Sequence, residues 1–92
     1  MASETREMRL LSTVLYSETG QTLPTLIATA RQPGDEHKSW DELLVAIKTA
    51  TGEIVSTASL RKWAGVYGIP EGSKDMTPAA YRKALKASHI TI

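Results

Sequence analysis

Apolar residues recur along this chain at the three-and-four spacing of an α-helix almost from end to end. Met8, Leu11 and Leu15 fall on one helical face, widened by Leu10 and Val14, which predicts a first helix over residues 4–17 with Gly20 as its stop. The Val, Thr and Tyr residues between Arg9 and Tyr16 keep a strand open as the alternative there. Leu23, Leu26, Ile27 and Ala30 follow the i, i+3, i+4, i+7 rule and predict a second helix over 22–32. Thr22 is its expected cap, Pro24 fits its first turn, and Pro33-Gly34 breaks it.

The third element has the clearest start. Ser39-Trp40-Asp41-Glu42 has the form of a capping box, in which the serine hydroxyl takes the Glu42 amide and the Glu42 carboxylate takes the Ser39 amide. Trp40, Leu43, Leu44 and Ile47 then share a face, and the helix over 39–51 ends at Thr51-Gly52. After the link Glu53-Ile54-Val55, Ser56 caps a fourth helix over 56–67, with Leu60, Trp63, Ala64 and Tyr67 inward. Gly68-Ile69-Pro70 closes it, with a left-handed glycine, an apolar residue that packs back, and a proline. Thr77-Pro78 opens a fifth helix over 77–88 that carries Tyr81, Ala84 and Leu85 inward. The tail Ile90-Thr91-Ile92 alternates like a short strand or packs as an apolar end.

Ninety-two residues without cysteine are expected to make one domain, 1–92, an all-α compact bundle of about five short helices. The lack of cysteine removes disulfides, thiolate metal sites and a cysteine nucleophile together. No signal-peptide pattern and no apolar run of membrane-spanning length is visible, so a soluble cytoplasmic protein is expected.

The link between the third and fourth helices carries the main functional signal. Two short amphipathic helices, the first ending at a glycine and the second opening on a serine, form a helix-turn-helix pattern. In such a pair the first helix braces across the DNA backbone and the second puts its N-terminal turn into the major groove. With Leu60, Trp63 and Tyr67 inward, Thr57, Ser59, Arg61 and Lys62 are left outward, and the amides around Ser56 suit a phosphate. Arginine matches the two acceptors of guanine, whereas lysine acts as a point charge.

The stretch Gly52 to Pro70 resembles the reading-helix region of helix-turn-helix regulators such as phage repressors and small excisionase-like proteins. The likeness lies above all in Val55-Ser56, Leu60-Arg61-Lys62-Trp63 and Tyr67-Gly68-Ile69-Pro70. With the third helix counted, it covers about a third of the chain. It implies sequence-specific binding of double-stranded DNA by a homodimer, with Ser56, Thr57, Ser59, Arg61 and Lys62 at contacting positions and Leu60 and Trp63 in the core. The chain departs from that pattern by the insertion of Glu53-Ile54 before Val55, an extended turn, and by Lys48 where a small alanine is common one turn before the glycine.

The charge distribution supports the same reading. The total is +1, but residues 1–55 hold five Lys+Arg against eight Asp+Glu, net −3. Residues 56–92 hold six (Arg61, Lys62, Lys74, Arg82, Lys83, Lys86) against Glu71 and Asp75, net +4. Such a split suggests a basic face for a polyanion. Lys74, Arg82, Lys83 and Lys86 are accordingly expected to add phosphate contacts beside the reading helix.

Catalytic patterns are lacking. His37 and His89 have no H-x-x-x-H or H-E-x-x-H companions, so no metal is expected. The glycines form no phosphate loop, and no serine sits in a nucleophile elbow. The chain is therefore read as a non-enzymatic binding protein without cofactor or small-molecule substrate. The rival reading is a protein-protein interaction module or inhibitor that docks on a host protein. Its first helix, with Met8, Leu10, Leu11, Val14 and Leu15, is broader in apolar surface than one core face needs.

Overall fold

Residues 4–92 are described by a computed structural model. Five α-helices follow one another: α1 (Arg6–Thr19), α2 (Leu23–Ala30), α3 (Trp40–Thr51), α4 (Thr57–Tyr67) and α5 (Pro78–Ala87), with a 3₁₀ turn at Ser73–Asp75 before the last. The all-α expectation holds, and no strand occurs among the described residues.

The strand alternative over residues 9–16 is overturned, because that segment lies inside α1. Its β-branched Thr13 is accommodated by a hydroxyl that donates back to the Arg9 carbonyl at 2.9 Å, a bond that a helix readily provides. The tail forms no strand either; it has no neighbouring strand to pair with, and Ile90 packs against the core. α1 runs two residues later at each end than its periodicity suggests. Thr5 is the cap, accepting from the Met8 amide at 3.3 Å, and the chain turns at Gly20.

α2 departs from expectation twice. It ends at Ala30, not at residue 32, because Gln32 precedes a proline and is pushed out of the helical region. The Lys38 amide returns to bond the Ala30 carbonyl at 2.7 Å, which satisfies the helix end. Thr22 occupies the cap position, yet its hydroxyl donates to Thr25 Oγ1 and caps no amide. Instead, Ser12 of α1 accepts from the Leu23 amide at 2.9 Å, so the start of α2 is satisfied from a neighbouring helix. The capping box at the head of α3 is present in both halves, each bond 3.1 Å.

The core is drawn from every helix: Met8, Leu11 and Leu15; Leu23 and Ile27; Leu43 and Ile47; Leu60 and Trp63; Tyr81 and Leu85. Each such side chain contributes about 1.5–3 kcal/mol by leaving water. α1 packs on α2 and α3, and α4 packs on α3 and α2. The radius of gyration is 12.3 Å, near the roughly 12 Å expected for a compact chain of this length.

One charged side chain belongs to this interior. Arg31, only 7 % exposed, follows the end of α2. Its Nη1 donates to the Lys38 carbonyl at 2.9 Å and its Nη2 to the Glu71 carbonyl at 3.3 Å, while the guanidinium lies 4.0 Å from the centre of the Trp40 ring. Fully buried Ser73 donates its hydroxyl to the Arg31 carbonyl. Desolvation holds the Arg31 pKa below the ordinary arginine value. Carbonyl oxygens and an aromatic face take the place of a carboxylate here, and they join the α2–α3 loop, the start of α3 and the α4–α5 loop through one side chain.

Candidate functional site

α4 owes its orientation to its sequence spacing. Leu60, Trp63 and Ala64 are buried against α3 and α2, which turns Ala58, Arg61, Lys62 and Gly65 to solvent. Thr57 and Ser59 are half-buried at the flanks of that outward face. Tyr67, expected fully inward, is only half-buried, because its hydroxyl reaches Glu4 Oε2 at 2.7 Å. Burial first, then the neighbouring carboxylate, raises the Tyr67 pKa.

The link from α3 to α4 is long enough to protrude. Gly52 turns left-handed at φ 77°, the Thr51 hydroxyl accepts from the Glu53 amide at 3.1 Å, and Glu53 and Ile54 stand in solvent before Val55 packs back on the core. Ile54 is 82 % exposed. It lies beside Leu10 and Val14 of α1, themselves exposed, and together with Val55 and Trp63 they line an apolar groove of about 230 Å³. Glu7 and Glu53 add acid to it.

The hydroxyls of Ser56 and Ser59 are coupled to each other. Ser56 Oγ accepts from the Ser59 amide at 3.1 Å and donates to Ser59 Oγ at 2.9 Å. Capping therefore occupies Ser56, and the Ser59 O–H is the donor left to face outward. Arg61 is also engaged, forming with Glu71 the one side-chain ion pair among the described residues. Lys62 is exposed beside it, and exposed Lys74 lies three residues beyond Glu71 in the 3₁₀ turn.

No protein-family model matches this chain, and no curated protein or solved structure resembles it significantly.

The cations of α5 are placed differently. Arg82 and Lys86 are exposed beside Leu85, Ile90 and Ile92, and Arg82 also borders a hollow with Thr25 and Thr29 of α2. Neither hollow includes a residue of α4. Lys83 is exposed on the same helix. The six cations of the basic C-terminal part thus stand on α4 (Arg61, Lys62), in the 3₁₀ turn (Lys74) and on α5 (Arg82, Lys83, Lys86).

Among the described residues, no group of three His, Asp or Glu side chains gathers as a metal site, and no helix is long and apolar enough to cross a membrane. The outward face of α4 offers hydroxyl and cationic donors, which suits an anionic partner. Sequence spacing missed two participants, Glu71 and Arg31. Both act across loops, at separations of ten residues (Arg61 to Glu71) and forty (Arg31 to Glu71), where no helical periodicity carries a signal.

Proposed function

We propose that this protein binds double-stranded DNA as a helix-turn-helix regulator of phage or bacterial type, repressor-like and cytoplasmic. In this reading α3 braces on the backbone and α4 enters the major groove. The observation that carries it is the composition of the outward face of α4, where Arg61 and Lys62 are bracketed by Ala58 and Gly65.

The glycine is informative. A methyl group added at Gly65 would meet nothing within 4 Å, so internal packing gives no reason for a glycine in the last turn of α4. Glycine there costs about 1 kcal/mol relative to alanine, and a close approach by the wall of a groove would explain it. Arg61 supplies the bidentate donor for a guanine edge, and Lys62, Lys74 and the Ser59 hydroxyl supply phosphate contacts. A single module of this kind buries only about 600–1,000 Å² on DNA, so a homodimer on a two-fold site completes the reading.

Replacing Arg61 and Lys62 tests it. Arg61→Ala is expected to lower discrimination between a duplex selected from a random library and random duplex. Lys62→Ala is expected to weaken both alike. Equal, negligible effects of both substitutions would contradict the role given to α4.

One observation favours a second reading, a module that docks on another protein. Leu10, Val14 and Ile54 converge on the groove between α1 and the protruding link, and exposed apolar side chains so grouped mark a contact surface. Ile54→Asp separates the two: it abolishes protein docking through the groove and leaves the α4 face intact.

A further inference from the structure

Arg61, at the centre of the outward face of α4, is 52 % exposed and its partner Glu71 is 65 % exposed. Pairs this open are usually made by two mobile side chains and contribute little. Here the acid is presented from an anchored loop. The Glu71 main-chain carbonyl accepts from buried Arg31, Pro70 precedes it, and Ser73 two residues later is fully buried and bonded to the same Arg31. The main chain that carries Glu71 is therefore held in place within reach of Arg61, and the two side chains pair in the free protein. Among the described residues no such pair holds Lys62 or Lys74.

We infer that Glu71 is a specificity-determining residue of the α4 face, acting through Arg61. The inference rests on the DNA-binding reading above. While Glu71 holds the guanidinium, Arg61 is released only to a group that replaces a carboxylate, and the two acceptors of a guanine edge do so when they are aligned with α4. A misaligned sequence leaves Arg61 on Glu71 as a neutral pair, whereas release to a guanine edge breaks the pair and leaves the Glu71 charge unpaired beside the DNA. Glu71 thus subtracts more from binding at the preferred site than from sequence-independent binding. It is a positioning residue that need not touch DNA itself.

The test compares the wild type, Glu71→Gln, Arg61→Ala and the double variant, each against random duplex and against a duplex selected from a random library with the wild type. Thermal melting first establishes that each variant is folded. Glu71→Gln is expected to bind the selected duplex about two- to fivefold tighter than the wild type, the scale of one exposed ion pair. Its affinity for random duplex should change less, so the specificity ratio rises. In the Arg61→Ala background the same substitution should lose this differential effect. Equal strengthening of both duplexes, or a ratio that rises as much without Arg61, would show a plain net-charge effect and overturn the inference while leaving DNA binding standing. Absence of duplex binding by every variant would overturn it together with the reading it rests on.

Discussion

The Tyr81 hydroxyl of α5 donates to the Ala28 carbonyl of α2 across a distance of 2.6 Å, and both residues are buried. Burial pushes the phenol up to about 12 from an ordinary 10.0. The folded chain thus keeps this proton where the unfolded chain loses it. The contribution is complete below pH 10 and is lost as pH rises through about 12. Tyr67 shifts in the same direction. Thermal melting should therefore show stability falling steeply above pH 10, and Tyr81→Phe should flatten part of that fall. At neutral pH the same variant should be less stable by about 1–2 kcal/mol, because it strands a buried carbonyl.

Two glycines of one helix region should respond with opposite signs. Gly68 ends α4 at φ 84°, and a Cβ there would collide with the Ser88 side chain. Gly68→Ala is expected to cost more than about 1 kcal/mol, from strain and clash together. Gly65→Ala should instead stabilise by about 1 kcal/mol through helix propensity. Denaturant titration of the two variants reads both, and a stabilised Gly68→Ala would contradict the packing of α5 against the end of α4.

The buried loop node makes its own prediction. Ser73→Ala removes the hydroxyl that satisfies the Arg31 carbonyl and should destabilise by about 1–2 kcal/mol. Because the same loop carries Glu71, hydrogen exchange should rise locally across residues 70–76 as well. An unchanged midpoint and unchanged exchange would show that this buried bond is not an anchor.

Ser56 tests how α4 begins. Its Oγ caps the Ser59 amide, so Ser56→Ala should cost about 1 kcal/mol and fray the first turn of α4, with Ser56→Asp restoring most of the loss. Amide exchange at Ser59 checks this directly.

Much of this architecture was legible from residue spacing, and the reasons are local. The heads of α3, α4 and α5 at Ser39, Ser56 and Thr77 are written in residues that act within one turn of themselves. Leu60, Trp63 and Ala64 fixed the inward side of α4, and so the outward side followed. What spacing did not reveal depends on loops meeting in space. Thr22 has the residue type of a cap, yet Ser12 of another helix satisfies the amide of Leu23, a relation across eleven residues. Arg31 counted simply as one of the cations of the acidic half, although it is a buried node. Spacing places Arg61 outward, and its engagement by Glu71 depends on how the chain returns after Pro70. The charge split at Ser56 reads six cations as one group, and it does not show that Arg82 also borders a hollow with Thr25 and Thr29 of α2.

The central claim is that α4 presents a DNA-binding face, and a salt series with wild-type protein and random-sequence duplex tests it most directly. Between about 50 and 200 mM salt, log affinity should fall linearly with log salt, at roughly 0.9 per phosphate neutralised. Lys62→Ala should make that slope shallower by about one such unit. A flat response, or no duplex binding at the lowest salt, would contradict the account.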